Sequence, residues 1–247
     1  MKTKKKVWII VGTLLILTMA FMAPMMSRMP SPQADRIDGN NIVGIDAGGS
    51  YSWVIPTKTG VVLVDAGWDN EGKALKAEIG DRKVHAILIT HGHFDHTGGL
   101  ALFPEATVYI GPDEAPLLKG EAEAGGWMAR MSTTMMNPSA YTPAHLQEFK
   151  DGDVIEIDGE KFQAIHTRGH TKGSAMYIWN DVLFTGDTIV GRGDYVNEIP
   201  EPTYDDYDAV QSNVAKVLAF PFNHIADGHV GLHTDAYRQV KSYIEGK

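Results

Sequence analysis

The segment that most constrains this chain is a run of six, HAILIT at residues 85–90, followed at once by His91-Gly92-His93-Phe94-Asp95-His96-Thr97-Gly98-Gly99. The run suits a buried strand. Four side chains able to bind a metal then fall within residues 91–96, so the strand must end where they can converge. In an extended strand end, residues two apart point the same way, which lets His91 and His93 grip one ion from one side. Asp95 and His96 come after the chain turns and can face a second ion beside the first, with Gly98 and Gly99 permitting close backbone approach.

Cysteine is absent, which excludes disulfides, thiolate ligands and cysteine nucleophiles together. Any metal must be held by nitrogen and oxygen. A formal net charge of -9 repels polyphosphate backbones, and the lysines beyond the N-terminus are dispersed, so nucleic acid is excluded as a partner and a small-molecule substrate is expected. The oligomeric state is left open.

Strands and helices alternate along the rest of the chain. Tyr51–Pro56 and residues 61–65 read as a hairpin around Thr57-Lys58-Thr59-Gly60. Residues 69–79 read as a helix, and further strands are expected at Thr107–Ile110, Val154–Ile157, 161–166, Ala175–Trp179, 182–185 and 225–227. Residues 205–219 and 235–245 read as helices, each opening on an aspartate where a helix N-terminus favours negative charge. Residues 111–147 look irregular, with Gly125-Gly126, Trp127, Met128, Met131, Met135 and Met136 either lining a substrate pocket or packing against the core.

The H-x-H-x-D-H segment resembles the signature of the metallo-β-lactamase superfamily, whose members bind one or two metals in an α/β fold, the αββα sandwich. Later strand ends supply the residue types that family uses next: His170 in Thr167-Arg168-Gly169-His170, Asp187 in Phe184-Thr185-Gly186-Asp187, and His229 in Asp227-Gly228-His229. The resemblance implies His91, His93 and His170 around one ion, Asp95, His96 and His229 around the other, and Asp187 bridging both. It implies two divalent ions, zinc by default, with iron or manganese also compatible with nitrogen and oxygen donors. Such ions lower the pKa of water from about 16 towards about 7, and after Asp95, Asp187 and a hydroxide are counted they leave about one positive charge near the reacting centre. Asp95 is the expected catalytic proton carrier. Asp65 resembles the family's strand-ending aspartate and is expected to orient site residues without touching metal. His85 and His166 are either supports for ligands or structural residues, while His145, His224 and His233 carry no spacing argument.

Lactamase branches typically have cysteine or serine near the bridging position, so Asp187 is similar instead to the glyoxalase II, lactonase and thioester or ester hydrolase branches. The expected activity is cleavage of an ester, thioester or lactone. The alternatives are a β-lactam hydrolase and a non-catalytic metal-binding or interaction module.

Lys2, Lys4, Lys5 and Lys6 precede an apolar run at residues 7–26 and a proline-bearing linker. The run approaches the roughly 20 residues that span a bilayer. The sequence therefore reads as an N-terminal hydrophobic helix and anchor at residues 1–30, a linker at 31–45 and a catalytic domain at 46–247. An extracytoplasmic, membrane-anchored enzyme is expected, or a secreted one if the segment is cleaved.

Overall fold

A computed structural model describes residues 35–36 and 41–246, apart from positions 70, 137 and 139. The hydrophobic helix expected at residues 1–30 lies outside the described residues.

The first sheet runs β1 (Asp35–Arg36), β2 (Val43–Asp46), β3 (Tyr51–Pro56), β4 (Gly60–Val64), β5 (Lys83–Leu88), β6 (Thr107–Ile110) and β7 (Leu146–Glu148) in that spatial order. Neighbours from β1 to β4 are antiparallel and those from β4 to β7 parallel. The second sheet draws on β8 (Val154–Ile157), β9 (Glu160–His166), β10 (Ala175–Trp179) and β11 (Val182–Gly186). After a small ribbon of β12 (Val190–Gly191) and β13 (Val196–Asn197), it is completed by β14 (His224–Asp227) and β15 (Leu232–His233). Its order is β15-β14-β11-β10-β9-β8.

Alternation along the strands decides how these sheets stack. Trp53, Ile55, Val62 and Val64 face a core shared with Phe162, Tyr177, Trp179 and Phe184 of the second sheet. Their neighbours Val54, Val61 and Leu63 face the opposite way, onto Leu75 and Ile79 of α1 (Lys73–Ile79). The far side of the second sheet packs Ile165, Met176 and Leu183 on the C-terminal helices. Both faces of each sheet are therefore covered, which is why β4, β10 and β11 read as unbroken apolar runs. The layers are α, β, β, α.

Departures from the sequence reading have local causes. The first helix begins only at Lys73, because Asp69 instead accepts the N–H groups of Glu71 and Lys73 and Gly72 sits at φ 61°. Residues 111–147 are not irregular throughout: besides α2 (Phe94–Thr97) upstream, the chain forms α3 (Ala115–Leu118), α4 (Trp127–Met136) and β7. On α4 only Met128 is buried, while Trp127, Met131, Met135 and Met136 are exposed, so the four neither pack in the core nor line the cavity described below. Near the C-terminus stand α5 (Tyr207–Val214), which tightens into a 3-10 turn at Ala215–Ala219, and α6 (Ala236–Glu245). The aspartates before them make no side-chain cap; Asp206 pairs with Arg168 at 3.0 Å and Asp235 with Arg238 at 2.5 Å.

The parallel strands place the chemistry. The carboxyl ends of β4, β5, β11 and β14 open on one edge, where the sheets are laced by Ala175 N–H on Thr90 C=O at 2.7 Å and Tyr51 N–H on Gly228 C=O at 2.8 Å. In α/β folds such an edge is where ligands bind.

Candidate metal centre

Beyond β5 the chain stays extended through His93 (φ −66°, ψ 148°) and then coils into α2, which carries Asp95 and His96. His170 comes from the loop between β9 and β10, Asp187 from the end of β11 and His229 from the end of β14. The structure brings all seven together in two sets. His91, His93 and His170 each offer a donor atom within 4.8 Å of the others, and so do Asp95, His96, Asp187 and His229. Asp187 reaches both: Oδ2 lies 3.0 Å from Nε2 of His229, 3.7 Å from Nε2 of His170 and 4.0 Å from Nε2 of His91. Its Oδ1 stands 3.1 Å from Nε2 of His96 without a hydrogen bond.

These donors fit a cation. Nε2 of His91, His93 and His96, Nδ1 of His170 and Oδ1 of Asp187 are buried with no hydrogen-bond partner. Of these, Nε2 of His91, Nε2 of His96 and Oδ1 of Asp187 face one space, while on the other two rings the atoms turned to it, Nδ1 of His93 and Nε2 of His170, have only each other at 3.0 Å. Buried polar atoms are otherwise almost always paired, so donors left in this way are what metal ligation explains.

The electrostatics divide the sets. Burial, reinforced by the neighbouring imidazoles, holds His91 well below the usual histidine range, and burial likewise lowers His93 and His170. All three are neutral, the form that ligates. Burial also opposes protonation of His96 and His229, yet the carboxylates of Asp187 and Asp95 overcome it, lifting His96 well above its ordinary value and His229 to about 9. Burial would raise Asp187, but His229 and His96 hold it well below the carboxylate range. In the metal-free protein, protons on these two imidazoles neutralise the carboxylates that a divalent cation would otherwise meet.

Supporting groups fix the donors. Asp65, at φ 59°, accepts Thr90 N–H on Oδ1 at 2.8 Å and both the Thr90 hydroxyl (2.7 Å) and Nδ1 of His96 (2.8 Å) on Oδ2. That bond leaves Nε2 of His96 as the ligating atom. Nδ1 of His229 meets the Gly49 carbonyl at 2.9 Å, and Asp227 accepts the N–H groups of His229 and Gly231 at 2.9 and 3.0 Å. Asp227 also meets His233 at 3.2 Å. Sequence reasoning missed Gly49, Asp227 and Glu114; an aspartate two residues before a ligand histidine was the available signal for Asp227. His166 bonds the Lys172 carbonyl at 2.8 Å and His85 the Thr59 hydroxyl at 2.9 Å, so both serve the scaffold. A cavity of about 550 Å³ opens beside His93, lined by Phe94, Leu117, Leu118, Arg130 and Tyr141 among others.

Residues 45–236 match the family model described as the metallo-beta-lactamase superfamily. The chain belongs to that superfamily. Among its relatives is the hydroxyacylglutathione hydrolase of Aeromonas hydrophila subsp. hydrophila, 32% identical over 148 residues, which cover 58% of this chain and 48% of that protein. Another is the atrochrysone carboxyl ACP thioesterase of Aspergillus chevalieri, 26% identical over 170 residues, covering 66% and 47%. The chain thus spans about half the length of these curated relatives. A solved B3 metallo-beta-lactamase with an active-site glutamic acid superposes with a TM-score of 0.64 at 23% identity, covering 88% of this chain and 87% of the other. That likeness carries the fold.

The comparisons correct the expected location. Relatives named as hydroxyacylglutathione hydrolases run against an exported enzyme, and among the described residues no helix is long and apolar enough to cross a membrane. Neither the anchored nor the secreted placement is retained.

Proposed function

We propose that this metallo-beta-lactamase superfamily member is a two-metal hydrolase of acyl bonds, with thioesters or esters as its substrates. The observation that carries the reading is the Asp187 carboxylate standing between the two donor sets, with its own Oδ1 and Nε2 of His91 and His96 buried and unpartnered. Relatives named as a hydroxyacylglutathione hydrolase and an acyl-carrier thioesterase support the choice of a thioester.

In this reading His91, His93 and His170 hold one ion, Asp95, His96 and His229 the other, and Asp187 is shared. Zinc suits the donors, supplying a Lewis acid and a low-pKa water when bound. The protein's part is positioning and proton handling. Asp65 and the Gly49 carbonyl keep Nε2 of His96 and His229 turned inward. Asp95, one-quarter exposed, points Oδ2 to 3.6 Å from both of those nitrogens, and Ser50 donates to its backbone carbonyl. Water's oxygen bonds to the acyl carbon, the bond to the leaving sulfur or oxygen breaks, and Asp95 takes the water proton and returns it to the leaving group. The cavity beside His93 receives the acyl portion.

The test is a substrate panel. Zinc-loaded protein is assayed on a thioester, an ester, a lactone, a phosphodiester and a β-lactam, with and without a chelator. The expected outcome is chelator-sensitive turnover of the thioester or ester above the others; turnover confined to the β-lactam or phosphodiester would overturn the proposal.

A further inference from the structure

Glu114 lies at the start of α3, outside both donor sets, yet its carboxylate joins the two loops that carry the first set. Its Oε1 accepts the N–H of Gly92, the residue between His91 and His93, and the hydroxyl of Thr171 at 2.8 Å. Its Oε2 accepts the N–H of Gly173 at 2.7 Å. Thr171 directly follows His170, and its hydroxyl in turn takes a hydrogen bond from Ser174 at 2.8 Å. A chain of polar groups therefore runs from the extended His91–His93 segment to the His170 loop.

The packing shows that this bridge leaves no slack. Glu114 is 1% exposed, and burial pushes its carboxyl up to about 7 against the pull of the donors around it. Placing a carboxylate there is costly unless donors replace water, and three donors do. A Cβ on Gly173 would stand 2.5 Å from Cβ of Glu114, and one on Gly92 would stand 3.1 Å from Oε1. Glycine at both positions is what lets the two backbones close on one side chain.

We propose that Glu114 is a positioning residue that fixes the spacing between the His91–His93 pair and His170, and thereby the affinity of that three-imidazole set for a divalent cation. The inference rests on the two-metal reading above. Replacing Glu114 by glutamine turns one carboxylate oxygen into an N–H donor, which must meet the N–H of either Gly92 or Gly173 head on. One ligand loop is then pushed away while Asp95, His96, Asp187 and His229 keep their own supports.

The experiment is a competitive-chelator titration of zinc into wild type, Glu114→Gln, the milder Thr171→Val, and Leu75→Ala, a core variant remote from the centre. Melting temperatures of the metal-free proteins are measured alongside. Wild type is expected to bind two zinc ions. Glu114→Gln is expected to weaken one of them roughly 10- to 100-fold and spare the other, Thr171→Val to weaken the same ion by about fivefold, and Leu75→Ala to keep both. Should Glu114→Gln fail to fold, Thr171→Val carries the comparison. Two ions held unchanged in either variant, or lost equally in Leu75→Ala, would overturn the assignment. Fewer than two ions in wild type would instead defeat the metal-centre reading beneath it.

Discussion

Replacing Asp65 by asparagine changes one atom and separates orientation from ligation. The carboxylate oxygens receive Thr90 N–H, the Thr90 hydroxyl and Nδ1 of His96 at 2.7–2.8 Å, with Asp65 2% exposed. If the amide nitrogen faces Thr90 N–H, two donors collide in the core. If it faces His96, Nδ1 becomes an acceptor and the ring proton moves to Nε2, the atom aimed at Asp187. Losing a hydrogen bond to a buried charged group costs about 1.5–3 kcal/mol. That matches the 10- to 100-fold loss of metal affinity typical when a ligand's support is removed, or about 1.4–2.7 kcal/mol. Chelator-competition titration should show that loss in the set containing His96; the Thr90 hydroxyl, which also meets Nδ1 of His91 at 3.1 Å, passes a smaller effect to the other set. Equal affinity in variant and wild type, with circular dichroism showing both folded, would refute the claim that Asp65 acts through His96.

Further outcomes follow from the same geometry. Asp187→Ala removes the shared carboxylate and is expected to lose one of two bound metals by elemental analysis, with hydrolysis falling at least about 100-fold. In metal-free protein the lowered His91, His93 and His170 make stability rise with pH up to about 6.5, since the unfolded chain binds more protons there. The raised His96 and His229 act oppositely: their contribution is complete below about 6.5 and is lost as pH climbs, that of His229 through about 9. Thermal melts of chelated protein should therefore peak near neutrality, and zinc should flatten the alkaline fall. Phe184→Ala opens a void against Trp53, whose ring centroid lies 6.3 Å away, and should lower urea-measured stability by about 3–5 kcal/mol.

Much of this architecture is legible in the sequence because its signals are local. Residues 85–96 hold strand, turn and four donor side chains in one run, and Thr57-Lys58-Thr59-Gly60 mark the hairpin that β3 and β4 form. What stayed hidden is tertiary. Glu114 stands 22 residues from Gly92 and 59 from Gly173, and no spacing rule links them. The helices read from Asp205 and Asp235 open instead behind Asp206 and Asp235, whose carboxylates are claimed by arginines reached only in the fold or one turn on. The glycines and prolines around α4 concealed a surface helix, because composition does not reveal that Gly126 closes against the Pro202 carbonyl.

Zinc-edge anomalous diffraction from crystals of the zinc-loaded protein tests the central claim most directly. Two peaks are predicted, one enclosed by His91, His93 and His170, the other by Asp95, His96 and His229, with the Asp187 carboxylate between them. A single peak, or peaks that Asp187 does not contact, would contradict the account.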